Sequence, residues 1–186
     1  MPTRSAPTPS RARGFTLVEL MAVVIIVGVL GAIGIYMFRK QVFSSRSVEV
    51  MAMLSSIRSA EERYRAENSA YLDVSSTIDT YYPMANPDKT LYAWDQPTHV
   101  DYPKWKLLAP TTSGPVQFGY AVKAGPPFTA MTLPTTTGKP TWPAPGKQDE
   151  PWYVIQAAGD MDANGVMSMY VASSVNGEIY RENDGE

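Results

Sequence analysis

The sequence predicts an α+β fold in which a long N-terminal helix packs on a small antiparallel β-sheet domain. Between Arg13 and Arg39 lies an apolar run of membrane-spanning length with a single ionisable residue. Apolar residues at helical spacing then continue to about Asn68. Beyond that point prolines become dense, since thirteen of the sixteen fall between Pro83 and Pro151. Proline interrupts helices, so this second region is expected to consist of loops and short strands.

The first fourteen residues form a leader that differs from the apolar run behind it. They are polar, carry three arginines and contain no acidic residue, which predicts that they stay in the cytoplasm while the remainder faces outward. Residues 15–38 form a helix of about 36 Å, enough to cross a bilayer of about 30 Å. The evident processing point, Gly14, precedes this helix. Cleavage there would remove residues 1–14 and leave the membrane helix on the mature chain, unlike cleavage of an ordinary secretory signal.

Residues 13–20, RGFTLVEL, and the apolar run behind them closely resemble the class III signal of type IV prepilins and pseudopilins. In that family a membrane peptidase cleaves after the glycine and methylates the new terminal amine, which the resemblance assigns to Gly14 and Phe15. The family's N-terminal glutamate corresponds to Glu19. A long helix followed by a Gly/Pro-rich domain with short strands is also similar to a pilin, so the resemblance extends over the whole chain.

Glu19 needs a specific explanation, because an ionisable side chain inside a membrane is costly. In an intersubunit role, it pairs with the cationic amine of Phe15 on a neighbouring subunit and sets the axial register of a filament. In an intrachain role, it offsets the N-terminus of its own helix and the terminal amine without any partner. We favour the intersubunit role, since a carboxylate in lipid gains most from a partner when subunits pack side by side.

Residues 39–68 are predicted to continue the helix as an amphipathic segment, and residues 69–186 to form the outward-facing globular domain. The apolar stripe of the helix contains Phe43, Val50, Leu54, Ile57 and Tyr64, and the opposite face contains Arg46, Glu49, Arg58, Glu62 and Arg65. In the domain, a C-terminal sheet is predicted from strands at 116–123, 128–133, 152–158, 166–173 and 177–181. Asn176-Gly177 predicts a tight turn between the last two strands.

Composition argues against several function classes. Residues 69–186 hold seven basic and thirteen acidic side chains, so nucleic-acid binding is not expected. With one histidine, His99, no cysteine and no evident carboxylate pair, no enzymatic site is predicted, and His99 is expected in a surface loop.

Many pilins close a C-terminal loop with a disulfide. Because this chain has no cysteine, that region must be held by other means.

A possible calcium site lies in the segment 158–166, AGDMDANGV. Asp160, Asp162 and Asn164 alternate oxygen ligands and are followed by Gly165, as in the first half of a calcium loop. The glutamate that an EF-hand requires at its twelfth position is replaced by Val171, so this is no EF-hand. Two alternatives remain: a shorter calcium cage, which the resemblance to calcium-binding pseudopilins supports, and a polar turn without metal. No other cofactor is predicted.

The combined prediction is a structural subunit of a type IV pilus, major or minor, that assembles through its N-terminal helix. The alternative is a pseudopilin of a type II secretion system, and a bitopic binding module that never polymerises is less favoured. The expected partners are other copies and related pilin subunits in a helical filament, the prepilin peptidase and methyltransferase, and the assembly platform. The expected location is the bacterial inner membrane before assembly and the cell surface afterwards.

Overall fold

The computed structural model describes residues 14–135 and 148–184, and it has the predicted α+β architecture. The chain divides into two compact units, Met1–Gln41 and Val42–Glu186. One long helix, α1 (Leu17–Asn68), contributes to both units. The leader residues 1–13, to which the sequence assigns a cytoplasmic position, lie outside the described residues.

In the first unit, α1 begins with a strongly apolar stretch. Residues Leu17–Ile35 have a mean hydropathy of 2.6, and none of them is buried. By length and composition this stretch can cross a membrane, as the sequence predicts. Apolar side chains exposed along 19 consecutive residues need a covering of lipid or protein, because water solvates them poorly.

The second unit contains a four-stranded antiparallel sheet in the order β1-β2-β3-β4, where each strand follows its neighbour in sequence. The strands are β1 (Gly119–Gly125), β2 (Trp152–Gly159), β3 (Ser168–Ser173) and β4 (Tyr180–Glu182). Every residue of β2 and β3 is buried, so both faces of the sheet centre are covered. Four of the five predicted strands form, with ends shifted by one residue at β2 and by more at β1, β3 and β4.

The second part of α1 covers one face of the sheet. Val50, Leu54 and Ile57 of the predicted apolar stripe are fully buried and belong to one core cluster with the sheet. The side chain of Phe43, also assigned to the stripe, lies outside the described residues. A smaller cluster covers the opposite face and consists of Ile78, Ala121, Met131, Trp152, Val154 and Val171. The sheet is thus buried between the helix and the loop segments.

A short second helix, α2 (Tyr102–Leu108), was not predicted. The surrounding prolines argued against a helix here, although the helix has about two turns and Pro103 is tolerated near a helix start. Its buried residues are Trp105 and Leu108, one turn apart, and the Trp105 ring stacks on Tyr82 with the ring centroids 5.3 Å apart. Tertiary packing of this tryptophan accounts for a helix too short to form alone.

The predicted strand at 128–133 is wrong. Phe128 has a left-handed backbone with φ of +62° and donates its N–H to the Gln148 carbonyl at 2.7 Å. Two prolines precede it and lack the N–H that a strand ladder requires. The tight turn predicted at Asn176-Gly177 is also wrong, since β3 ends at Ser173 and β4 begins only at Tyr180. These two residues lie inside a longer loop.

Candidate functional site

The start of α1 is organised by reciprocal hydrogen bonds between Thr16 and Glu19. Glu19 Oε2 accepts bonds from the Thr16 backbone N–H and hydroxyl, both at 2.8 Å. The Glu19 N–H donates to Thr16 Oγ1 at 3.3 Å. Because α1 begins at Leu17, Thr16 is the N-cap and Glu19 the third helical residue, an arrangement known as a capping box. Sequence reasoning missed Thr16, although the spacing T-x-x-E was a readable signal.

This geometry supports an intrachain contribution of Glu19, but it uses only one of the two carboxylate oxygens. Both bonds from Thr16 go to Oε2, and within the described residues Oε1 accepts no hydrogen bond. Glu19 lies at the exposed end of the helix, where another molecule can approach Oε1. A capping carboxylate is therefore also positioned to accept a proton donor from outside the chain.

The predicted cleavage point lies next to the capping box. Gly14 and Phe15 precede the first turn of α1, and both are exposed. The Phe15 side chain is 84% exposed, and no atom of the described residues lies within 4 Å of the position that a Cβ on Gly14 would occupy. The peptide bond between them is thus outside the helix and is not crowded by any described residue, which suits a protease substrate.

A second glutamate of α1, Glu61, lies in the opposite environment. Its side chain is fully buried, and Oε2 accepts a hydrogen bond from the Leu72 N–H at 2.9 Å. Oε1 is buried and has no hydrogen-bond partner among the described residues. Burial raises the pKa of Glu61 to about 8, although the Leu72 bond opposes this and the charges of Glu62 and Asp73 add to it. The neutral acid is the favoured form at pH 7.

Arg58 of α1 holds the loop between β3 and β4. Its guanidinium donates to the carbonyls of Ser173 and Gly177 at 3.0 Å each and to that of Asn176 at 2.7 Å. Sequence reasoning placed Arg58 on a polar face and did not foresee these contacts, which join residues more than 100 positions apart. These hydrogen bonds help to hold the C-terminal loop, which no disulfide can close because the chain has no cysteine.

The acidic loop between β2 and β3 turns its carboxylates toward its own backbone. Asp160 accepts the N–H groups of Asn164 at 3.2 Å and Gly165 at 2.9 Å, and Asp162 accepts the Asn164 N–H at 3.2 Å. Asn164 Oδ1 accepts the Val166 N–H at 2.6 Å. This bonding matches the polar-turn alternative. Among the described residues, no group of three or more His, Cys, Asp or Glu side chains could hold a metal ion. Calcium binding stays a prediction.

His99 lies in a loop beside Pro97, as predicted, and its side chain is half-buried there. Its Nε2 lies 2.8 Å from the Tyr81 carbonyl, and its Nδ1 accepts the Asp101 N–H at 3.1 Å. Because a carbonyl can only accept, this hydrogen bond assigns a proton to Nε2. Both ring nitrogens are used by backbone groups, so His99 has a structural role in the turn before α2.

Comparison with known proteins finds a family model that matches the N-terminal segment and several relatives that match part of the chain. Residues 9–35 match the family model of the prokaryotic N-terminal methylation motif. A type IV major pilin protein, PilA, of Myxococcus xanthus is 40% identical over 68 residues, which cover 37% of this chain and 31% of that protein. Two fimbrial proteins of Pseudomonas aeruginosa are 30% identical over 79 residues, 42% of this chain and 51% of theirs.

The alignments thus span about a third to a half of the length of the curated relatives. No solved structure matches the chain significantly. The matched proteins are pilus and fimbrial subunits, in agreement with a structural protein rather than an enzyme. The motif at residues 9–35 and these relatives confirm the resemblance to the type IV pilin family that the N-terminal sequence predicts.

Proposed function

We propose that the chain is a structural subunit, major or minor, of a type IV pilus and that it assembles through the N-terminal part of α1. The observation that carries this proposal is the apolar stretch Leu17–Ile35, which is exposed throughout and has the capping carboxylate of Glu19 in its first turn. Lipid can cover such a helix before assembly, and the equivalent helices of other subunits can cover it afterwards. The pilin PilA and the fimbrial proteins that match this region support the same assignment.

Processing after Gly14 is part of the proposal. Cleavage by a prepilin peptidase would place a methylated amine on Phe15, two residues before α1 begins. Oε1 of Glu19 on a neighbouring subunit would then accept a hydrogen bond from this cationic amine. An inner-membrane assembly platform would move the subunit from the bilayer into the filament. The arginines of the leader favour a cytoplasmic N-terminus before cleavage and an outward-facing sheet domain.

Filaments sheared from the cell surface test this function. We expect the chain to be present in them, and mass spectrometry to find that its first residue is N-methylated Phe15. An intact leader in the filaments, or cleavage behind residue 38, would contradict the proposal. The abundance of the chain in the filaments distinguishes a major subunit from a minor one.

The second candidate is a pseudopilin of a type II secretion system. The acidic loop at Asp160 favours it slightly, because it resembles part of a calcium loop. Two other features favour a specialised pilin instead. One is the large Pro/Thr/Trp-rich segment before β2, and the other is Tyr36, which stands where many type IVa pilins have proline. Retention of the processed chain in the inner membrane, with secretion lost when its gene is deleted, would favour the pseudopilin.

A further inference from the structure

Two Asn-Gly dipeptides lie in loops of the sheet, Asn164-Gly165 between β2 and β3 and Asn176-Gly177 between β3 and β4. Asn-Gly is the dipeptide most prone to spontaneous deamidation, because glycine has no side chain to shield the attacking backbone nitrogen. In both loops the asparagine Oδ1 accepts the N–H two residues later, at 2.6 Å from Val166 and 2.9 Å from Glu178. Both side chains are therefore folded back toward the following peptide group.

The two peptide groups differ in the charge that contacts them. At Asn176-Gly177, Arg58 Nη2 donates to the Asn176 carbonyl at 2.7 Å. That carbonyl and the Gly177 N–H belong to the same amide. A cation on the carbonyl stabilises the anion that forms when the Gly177 nitrogen loses its proton. The Gly177 N–H itself donates no hydrogen bond to a described residue, and the loop is exposed. This nitrogen is accessible and activated.

At Asn164-Gly165 the corresponding N–H contacts an anion. Gly165 donates to Asp160 Oδ2 at 2.9 Å, and the Asn164 side-chain amide donates to Asp162 Oδ2 at 3.1 Å. Removing the Gly165 proton would place a negative charge beside an existing carboxylate, which is unfavourable. The Gly165 nitrogen is therefore held by a hydrogen bond and is less reactive than the Gly177 nitrogen, although both dipeptides are Asn-Gly.

We propose that Asn176 is a site of spontaneous deamidation and that Asn164 is protected from it. Hydroxide removes the Gly177 N–H proton, and the nitrogen forms a bond to Asn176 Cγ. The Glu178 N–H stabilises the oxyanion that develops on Oδ1. The Cγ–Nδ2 bond breaks, Nδ2 takes up a proton and leaves as ammonia, and a succinimide remains. Water then opens the ring at either carbonyl and gives aspartate or isoaspartate, with no change of oxidation state.

The products would change the loop that Arg58 holds. Either product adds a carboxylate close to the Arg58 guanidinium in an already acidic domain. Isoaspartate in addition inserts a methylene group into the backbone between the carbonyls that Arg58 binds. The modification would thus alter the C-terminal surface of the subunit as the protein ages.

A time course on the full-length chain in detergent at neutral pH tests the proposal. Peptide mapping by mass spectrometry measures conversion at both asparagines, and isoaspartyl methyltransferase labelling counts isoaspartate. In the folded chain we expect Asn176 to convert at least about tenfold faster than Asn164, which corresponds to roughly 1.4 kcal/mol in activation free energy. In urea the rates should become similar. Equal rates in the folded chain, or an unchanged difference in urea, would overturn the proposal.

Three variants separate the causes. Gly177→Ala should slow conversion at Asn176 alone, and the added methyl group would meet no atom of a described residue within 4 Å. Asp160→Asn removes the anion from the Gly165 N–H and should accelerate conversion at Asn164. Arg58→Gln should slow conversion at Asn176, with partial rescue in Arg58→Lys, which keeps the cation. If Arg58→Gln does not fold, Gly177→Ala still tests the reaction at Asn176 and Asp160→Asn still tests the protection of Asn164. An unchanged Asn164 rate in folded Asp160→Asn would contradict the electrostatic explanation.

Discussion

Two glutamates of the same helix, Glu19 and Glu61, have opposite surroundings. Glu19 lies at the exposed start of α1 and accepts two hydrogen bonds from Thr16. Glu61 is fully buried in the second unit and accepts one bond, from the Leu72 N–H. In each case one carboxyl oxygen is bonded within the chain, and the other has no partner among the described residues.

The comparison shows two ways in which a protein accommodates an isolated carboxyl group. At Glu61 there is no access for a partner from outside, and burial favours the neutral acid. At Glu19 the second oxygen remains accessible, so a cation of another molecule can neutralise the charge. The buried carboxyl group therefore affects folding of the sheet domain, whereas the exposed one is accessible to a partner, as the proposed role in assembly requires.

The largest effect on filament assembly is expected from Glu19→Ala. If Glu19 pairs with the Phe15 amine of a neighbour, its removal should reduce sheared filaments by more than about tenfold, the factor for roughly 1.4 kcal/mol of lost association free energy. Insertion into the membrane should persist, because the apolar stretch is unchanged. Membrane fractionation and the yield of sheared filaments measure these two outcomes.

Thr16→Ala is the matched control for Glu19→Ala. It removes the hydroxyl that bonds Glu19 and weakens the helix cap, but it keeps the carboxylate. Under the intersubunit role, filaments of this variant should be close to normal in amount. Equal loss of filaments in both variants would instead assign Glu19 the purely intrachain role of a helix cap.

At Glu61 the expected effect is on folding stability and not on filament assembly. Its pKa in the folded chain is about 8, above the usual value of 4.5, so the folded state binds more protons than the unfolded state between these pH values. The free energy of unfolding should therefore fall as pH rises through this range, by on the order of 3 to 5 kcal/mol in total. In Glu61→Gln this decrease should be absent. Urea unfolding at a series of pH values measures it.

Glu62→Gln provides the control for this pH dependence, because Glu62 is the adjacent residue and is exposed. Its replacement should leave most of the decrease in stability between pH 4.5 and 8 intact. If Glu61→Gln and the parent chain lose the same stability over this range, Glu61 does not titrate as a buried carboxyl group, and the contrast with Glu19 fails.

The sequence predicted the features that depend on local pattern. The helix was expected from Phe15 to about Asn68 and forms from Leu17 to Asn68, because helical spacing of apolar residues is a strong signal. The positions of the Arg58 contacts, the burial of Glu61 and the fold of α2 depend on residues far away in the chain. Such tertiary contacts leave no periodic signal in one sequence. The capping box of Thr16 and Glu19 is local and could have been read from its spacing.

Asp160 is a third carboxylate for this comparison, and it is bonded by the backbone of its own loop. Its replacement should change folding stability less than the titration of Glu61 does. Asp160→Ala removes two N–H acceptor contacts and should cost on the order of 1 to 2 kcal/mol. This corresponds to a loss of a few degrees in melting temperature. Because the carboxylate already satisfies the loop amides, we expect the same loss in calcium and in chelator, measured by thermal unfolding of the full chain.

A calcium site predicts a different pattern: the parent would gain about 2.7 kcal/mol at 100 times the dissociation constant, and the variant would not. A calcium-dependent rise in melting temperature that disappears in Asp160→Ala would therefore show that a cation replaces the amide donors, and that Asp160, like Glu19, is suited to a partner from outside the chain.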